Sequence, residues 1–261
     1  MKKFIILALF SIAYTFSIAG TIELDGVFQG KNIYVMNPFS QSGVGFCVYE
    51  VTVNGKVTTD EINSSAFEID FSSLNINLGS EIKVSIKHKE NCKPKVLNPE
   101  VLKAKSTFEI KLINVDKEGN LNWTTENESG KLPFVVEQFR WNKWVKVGTI
   151  EGKGTPSSSN YTMKVNVHSG SNKFRVKQID YTNKPRYSAE VPFRSMTPPV
   201  SLVSKKVSDK VEFSIETMYE IYDYYGNLVK KGVGKTVDVS SLQAGKYFVN
   251  FDVLTEEITK K

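Results

Sequence analysis

Short segments in which apolar and polar residues alternate recur along most of this chain, and they restrict its fold more than any other feature. Clear examples lie at 21–25, 48–53, 67–71, 81–87 and 211–215. Alternation with a period of two places every second side chain on one face of a β-strand, whereas a helix needs a period near 3.6. Turn-forming residues such as Asn54-Gly55 separate these segments. The pattern predicts an all-β chain of tandem β-sandwich domains with a small β-sandwich at the C-terminus.

The first 19 residues have the pattern of a signal peptide. Met1-Lys2-Lys3 is a basic start, residues 4–16 are apolar, and Ser17-Ile18-Ala19 supplies the small residues that a signal peptidase reads. We expect cleavage after Ala19, which makes Gly20 the first residue of an exported chain. No cysteine lies at this junction for a lipid anchor, and no other stretch is apolar and long enough to span a membrane, so we expect no transmembrane span.

Two cysteines, Cys47 and Cys92, fit an oxidising compartment. An even count in an exported chain favours a disulfide, although two separate buried thiols would give the same sequence. A bridge between these positions would stabilise the fold by about 4 kcal/mol on the chain-entropy model. A metal site is not expected, because the two histidines are His168 and His88, and His88 lies between lysines.

Length and charge indicate how the exported part is divided. The chain has room for two or three small domains after the signal peptide at 1–19. We predict an N-terminal β-sandwich at 20–106, a second sandwich at 107–195 and a small β domain at 196–261. Residues 107–195 contain 14 basic and nine acidic residues, which indicates either an anionic partner or ordinary solvated lysines. We expect no nucleic-acid partner, because no recognition motif occurs.

The end of the chain holds short motifs in a fixed order: an aromatic strand at 219–225, a turn, a hairpin and a basic terminus. The residues that define this order are Gly226, Leu228, Val229, Asp238, Leu242, Gly245, Tyr247, Lys260 and Lys261. The order resembles the type A C-terminal sorting domain of the Bacteroidetes type IX secretion system. That resemblance implies protein transport across the cell envelope, with the outer-membrane secretion machinery as a partner.

A second set of motifs lies at 107–195. Its aromatic, charged and glycine residues are Trp123, Glu126, Phe134, Glu137, Gly148, Gly152, Gly154, Tyr161, Phe174, Arg175, Asp180, Tyr187 and Ser188. Their order is similar to the fibronectin type III-like module that often precedes the sorting domain. The resemblance implies an immunoglobulin- or fibronectin-like sandwich. We expect Trp123 and Phe174 to fill its core and Gly152 and Gly154 to form a tight turn.

Four charged residues of this module allow two interpretations. Glu126, Glu137, Arg175 and Asp180 could form a structural set of ion pairs, or Glu126 and Glu137 could be the carboxylate pair that a glycosidase needs. We favour the structural interpretation and expect no enzyme. The sequence has no nucleophile elbow, no phosphate-binding loop and no dinucleotide fingerprint. For the same reason we expect no cofactor.

Two aromatic pairs are the candidate binding residues: Trp141 with Trp144, and Tyr222 with Tyr225. The segment 141–144 predicts a hairpin tip, where two exposed indoles could bind a protein or a sugar. The alternative is that one of the two indoles belongs to the core and the other is half-covered.

Two functions therefore remain open. The chain is either a non-enzymatic cell-envelope partner of the outer-membrane translocon, such as a plug or accessory subunit that acts by protein–protein binding in the periplasm or outer membrane, or secreted cargo. As cargo it would act at the cell surface or outside the cell as an adhesion or ligand-binding module, with envelope or surface proteins or glycans as partners. We favour the translocon partner, because Thr197-Pro198-Pro199 lacks the asparagine usually found between prolines in cargo, and residues 20–106 are a small payload.

Overall fold

The structure is a computed structural model that describes residues 20–41 and 43–261. The expected signal peptide at 1–19, with its cleavage site after Ala19, lies outside the described residues. The described chain consists of β-strands, loops and two short 3-10 helices at Ser72–Leu74 and Pro99–Leu102, which confirms the all-β prediction. It divides into two compact units: residues 20–77 with 81–103, and residues 78–80 with 104–261.

The N-terminal domain is a sandwich of two antiparallel sheets. Its strands are β1 (Gly20–Val27), β2 (Ile33–Met36), β3 (Val48–Val53), β4 (Lys56–Val57), β5 (Ala66–Ile69), β6 (Glu81–His88) and β7 (Lys95–Val96). The sheets have the orders β1-β6-β3-β4 and β5-β2-β7. Every second residue of β6 is buried, at Ile82, Val84 and Ile86, and packs with Ile33 and Phe71 in one core. The alternation read from the sequence is therefore the alternation between core and solvent.

Local contacts explain two predictions in this domain. Asn54 and Gly55 both adopt the left-handed φ that a two-residue hairpin requires, and they join β3 to β4. Cys47 and Cys92 form a disulfide with Cα atoms 5.5 Å apart. Cys47 immediately precedes β3 and Cys92 follows β6, so the bond links the ends of two paired strands.

The module at 107–195 is also a two-sheet sandwich. Its strands are β8 (Glu109–Val115), β9 (Asn120–Glu126), β10 (Pro133–Arg140), β11 (Lys143–Glu151), β12 (Ser159–Lys164), β13 (Gly170–Ile179), β14 (Pro185–Tyr187) and β15 (Val191–Ser195). One sheet has the order β12-β9-β8, and in the other β11-β10-β13 is completed by β14 and β15, which both pair with β13. Trp123, Phe134 and Phe174 fill the core, with the Trp123 ring stacked 5.2 Å from that of Tyr161. The two predicted core residues lie where the sequence placed them.

A buried carboxylate closes one end of this module. Glu128 is 3% exposed and accepts hydrogen bonds from the Tyr161 hydroxyl at 2.6 Å, the Gly154 N–H at 2.8 Å and the Thr125 hydroxyl. Burial, followed by the hydrogen bond to Glu128, raises the pKa of Tyr161 to about 12. Gly154 has φ +71°, and a Cβ there would lie 2.4 Å from the backbone carbon of Gly130. A side chain is excluded at this glycine by both backbone conformation and space.

The C-terminal domain is a five-stranded sheet folded around its own core. Its strands are β16 (Lys206–Val207), β17 (Lys210–Asp223), β18 (Leu228–Asp238), β19 (Gly245–Phe251) and β20 (Leu254–Lys260), in the order β16-β20-β19-β17-β18. Pairing of β17 with β18 is interrupted between Glu212 and Thr217. Val211 and Ile221, which lie on either side of that break, pack into one cluster with Phe213 and Phe251. The bent sheet therefore encloses a core separate from that of the module.

Loss of the disulfide should destabilise the N-terminal domain by about 4 kcal/mol, because an open chain of this separation, 45 residues, regains the loop entropy that the bond removes. Calorimetry of Cys47→Ser/Cys92→Ser should show one unfolding transition moved to lower temperature. The transition of residues 104–261 is the internal control. Equal displacement of every transition would contradict this assignment.

Gly154→Ala should lower the free energy of unfolding of the module by more than Gly170→Ala does. Both glycines have a left-handed φ, but a Cβ at Gly170 has no atom within 4 Å. Gly170→Ala should therefore cost only the conformational term of about 1–2 kcal/mol, whereas Gly154→Ala adds a steric overlap with backbone. Urea unfolding of the two variants measures the difference, and equal values would refute the steric argument.

Candidate functional site

The residues of the C-terminal motif form the turns and the core of the last domain. Gly226 has φ +85° in the turn between β17 and β18. Val229 and Leu242 pack against the core, and Tyr247 is 8% exposed. The Tyr247 hydroxyl donates a hydrogen bond to the Gln243 carbonyl oxygen at 2.9 Å. These positions specify the fold of the domain.

The remaining motif residues lie at strand ends and at the surface. The Asp238 carboxylate accepts hydrogen bonds from Ser240, which lower the pKa of Asp238. Leu228 is 44% exposed at the start of β18, and Gly245 begins β19. At the terminus, Lys260 Nζ donates to the Lys261 carbonyl oxygen, and the Lys261 N–H donates to Val207. The last residue thus continues the pairing of β20 with β16.

Asp223 organises the turn that carries the most exposed aromatic residues of the described chain, and sequence reasoning missed its role. Its carboxylate accepts from the N–H groups of Tyr225 and Asn227 and from the Asn227 side chain, all within 2.9 Å. These bonds, led by the Asn227 amide, lower the pKa of Asp223. An aspartate at the first position of a turn is a signal that could have identified it. The turn displays Tyr224 and Tyr225, which are 69% and 87% exposed.

The other predicted binding residues are packed rather than open. Tyr222 is half-buried, and its hydroxyl donates to Glu220 at 2.7 Å and accepts from Lys143 at 2.8 Å. Trp144 is half-buried, with the Arg175 guanidinium 4.1 Å from its ring centroid. Of the two interpretations of this segment, the one with two exposed indoles does not describe Trp144, because Arg175 covers its ring.

Trp141 occupies the hairpin tip between β10 and β11, but it too is half-buried. Both Trp141 and Asn142 have a left-handed φ, which a two-residue hairpin needs and which is uncommon for a bulky residue. The Arg140 guanidinium lies 5.1 Å from the indole centroid. The structure has the predicted hairpin tip, and its indole is half-covered, as in the second of the two interpretations given for this segment.

The four charged residues expected to form one ion-pair set are separated. Glu126 on β9 pairs with Lys111 at 3.0 Å, whereas Glu137 on β10 pairs with Arg175 at 2.8 Å and with Lys177. Asp180 instead accepts hydrogen bonds from Thr182 and Ser106. The single set is therefore wrong, since β9 and β10 belong to different sheets. The same separation gives Glu126 and Glu137 different partners.

The buried carboxylate of Glu220, on β17 of the C-terminal domain, joins this domain to the module. Glu220 is 9% exposed and accepts from Lys143 Nζ at 2.7 Å, from Tyr222 and from Asn250. Burial opposes ionisation, but the hydrogen bonds from Lys143 and Tyr222 and the charge of Lys143 outweigh it. The pKa of Glu220 therefore lies below its ordinary value.

A second buried carboxylate, Asp252, joins the same two domains. It lies in the turn between β19 and β20 and is 1% exposed. It accepts from the Ser169 N–H at 2.7 Å, the Ser169 hydroxyl at 2.5 Å and the Val200 N–H at 3.3 Å. The C-terminal domain is thus held on the module by two carboxylates whose donors include residues of the module.

The C-terminal domain matches one family model. Residues 204–261 match the model described as the secretion system C-terminal sorting domain. The C-terminal domain is a type IX sorting domain. A sorting domain of this kind implies export to the cell surface or extracellular space and interaction with the secretion machinery.

Several solved β structures are similar to the whole chain or its modules. The tetra-tandem repeat of a large adhesion protein is 13% identical, with 92% of this chain and 73% of that chain covered and a TM-score of 0.31. The fibronectin(III)-like modules of Clostridium thermocellum CbhA are 10% identical, with 59% of this chain and 93% of that chain covered and a TM-score of 0.22. Latent PorU from Porphyromonas gingivalis is 11% identical, with 92% of this chain and 31% of that chain covered and a TM-score of 0.23.

The TM-scores of these structural similarities are below 0.5, so nothing about the function of this chain is inferred from them. No curated protein matches the chain in sequence. Within residues 20–41 and 43–261, none of the helices has the length and apolar character to cross a membrane.

Lys143→Met should weaken the contact between the module and the sorting domain at neutral pH, by about 1–2 kcal/mol in unfolding free energy. With Lys143 present, the folded-state pKa of Glu220 lies below the unfolded value of about 4.3, so its contribution is complete above that pH and is lost as the pH falls through the folded-state pKa. Without Lys143, only the hydrogen bonds from Tyr222 and Asn250 oppose the effect of burial on Glu220. The stability difference between wild type and variant should therefore be largest near pH 7 and shrink as the pH falls through the folded-state pKa of Glu220.

Thermal unfolding measured between pH 3 and 7 tests this expectation. Lys146→Met, an exposed lysine on the same strand, is the matched control and should leave the curve unchanged. A constant difference between Lys143→Met and wild type across the pH range would contradict the linkage.

Proposed function

We propose that this chain is secreted cargo of the type IX system. The sorting domain directs its export, and the two preceding β domains are the delivered part. The observation that carries the proposal is the family match over residues 204–261, where the motif residues build a complete domain with its own core. The match gives no support to the translocon-partner role that the sequence favoured.

The delivered part is proposed to act by binding rather than by catalysis. Tyr34 and Met36 project from one face of β2 and are 48% and 45% exposed, and Phe39 in the following loop is 58% exposed. Exposed large apolar side chains on one domain favour contact with another surface. The candidate carboxylates Glu126 and Glu137 have cationic partners on separate sheets, which supports structural roles for both. We therefore propose an adhesion or ligand-binding role at the cell surface or outside the cell.

The secretion machinery is proposed to recognise the sorting domain by binding its Tyr224–Tyr225 turn. These rings are the most exposed aromatic groups of the domain, and the backbone beneath them is fixed by Asp223. A rigid turn that presents aromatic rings suits protein recognition, because little conformational entropy is lost on binding.

Export of a chain tagged after Gly20 tests the proposal in a bacterium with a functional type IX system. The wild-type chain should reach the surface or the medium, and Tyr224→Ser/Tyr225→Ser should accumulate inside the envelope in a folded form. Tyr49→Ser, an equally conservative change at an exposed tyrosine of the N-terminal domain, should be exported normally. Limited proteolysis verifies folding of each variant.

Intact-mass spectrometry of the recovered chain separates the two functions. Recovery from the surface or medium supports cargo. Stoichiometric recovery with the outer-membrane secretion machinery, with Lys261 retained and none of the chain outside the cell, would replace cargo by the translocon partner.

A further inference from the structure

A cleft of about 660 Å³ lies between the module and the sorting domain. The module contributes Arg140, His168 and Phe193 to its lining, and the sorting domain contributes Met218, Val233 and Asp252. A volume of this size lies within the range of small-molecule sites, which are mostly apolar with a few placed polar groups. The two carboxylate contacts described above fix the walls relative to each other.

Arg140 is the unusual group of this cleft. It is 3% exposed, and its Nε and Nη1 atoms are buried without a hydrogen-bond partner. No ion pair with Arg140 occurs in the described part of the chain, and its ring contact is with Trp141. Burial lowers the pKa of Arg140 to about 10, so the guanidinium remains charged at neutral pH. Buried charged donors are ordinarily hydrogen-bonded, so this group has unused capacity for an acceptor.

Most of the neighbouring polar groups are occupied with one another. The Asp252 oxygens accept from Ser169 and Val200, as described above. His168 Nδ1 donates to the Ser169 carbonyl oxygen at 2.7 Å, and burial lowers the pKa of His168, which keeps the ring neutral. The Asn172 side-chain oxygen, Oδ1, accepts from Gln138 Nε2 at 2.7 Å and from the His168 backbone N–H at 3.0 Å. The buried Gln138 Oε1 has no hydrogen-bond partner either, but it is uncharged and does not bind Arg140. A charged acceptor for Arg140 would therefore have to come from outside these groups.

The charge and the walls of the cleft indicate the class of acceptor. A guanidinium binds carboxylate or phosphate through paired N–H groups. Lys117 and Arg194 add positive charge to the lining, but Asp252 and Glu216 are also present and disfavour a dianion. Phe193, Met196 and Met218 supply apolar surface for a short carbon chain.

We propose that the cleft between the module and the sorting domain binds a small ligand with one carboxylate and a short apolar body, held by Arg140. Arg194 attracts the carboxylate, and the wall formed by Phe193 and Met218 receives the apolar body. Because both domains line the cleft, the bound ligand also strengthens the contact between the sorting domain and the module.

Titration of the full chain with hexanoate tests the proposal, with the Arg140 Nε–H resonance as the readout. The resonance should shift saturably with hexanoate, more weakly with inorganic phosphate and not at all with hexanol. Arg194→Gln should weaken hexanoate binding by roughly two- to fivefold, as expected for loss of an exposed charge. Lys184→Gln removes an exposed lysine that does not line the cleft and should bind hexanoate as the wild type does.

Arg140→Gln lacks the reporting Nε–H group, so its binding is measured by isothermal titration calorimetry, in which the wild type should bind hexanoate saturably and Arg140→Gln should not. The exposed Arg194 variant keeps the proposal testable if Arg140→Gln fails to fold. The proposal is overturned if hexanoate causes no saturable shift, or if Arg194→Gln and Lys184→Gln bind alike. A crystal structure grown with hexanoate in which Arg140 pairs directly with Asp252 would also overturn it.

Discussion

A buried carboxylate needs hydrogen-bond donors, and the organisation of this chain from the module onward depends on where three such groups obtain them. Glu128 obtains its donors within the module, from Tyr161, Gly154 and Thr125. Glu220 and Asp252 lie in the sorting domain but accept from Lys143 and Ser169 of the module. Removing such a donor leaves an uncompensated charge in a poorly solvated place, which costs more than an exposed ion pair contributes. The contact between the two domains is therefore specific in geometry.

The contact between the module and the sorting domain affects how the sorting domain is presented to a partner. The Tyr224–Tyr225 turn lies two residues beyond Tyr222, which belongs to the Glu220 network. The same strand thus carries a face held on the module and a tip open to solvent. A sorting domain held in this way offers a defined surface, which lowers the entropy lost when a partner binds. If the proposed cargo role holds, the sorting domain reaches its partner already ordered.

Parts of the site were readable from sequence because they depend on local chemistry. Gly226 and the Asn54-Gly55 hairpin follow from the backbone conformations that turns require, and Trp123 and Phe174 follow from alternation within strands. The prediction that Glu126 and Glu137 share one set of ion pairs was wrong because β9 and β10 belong to different sheets. The order of residues along the chain does not reveal this separation. The exposure of Trp144 was left open because nothing in its segment indicates that Arg175, 31 residues later, covers its ring. Arg140 and Asp252 were missed because their surroundings come from segments far apart in the chain.

The sequence by itself determined the all-β architecture, the strand periodicity and the motif order of the sorting domain, since each depends on residues close together along the chain. The tertiary structure decided which carboxylates share partners, which aromatic rings remain exposed and that a cleft forms beside Arg140. These features arise where two sheets or two domains meet, so their energies depend on burial and on donors that come from distant segments. Local propensity and periodicity carry no information about such donors.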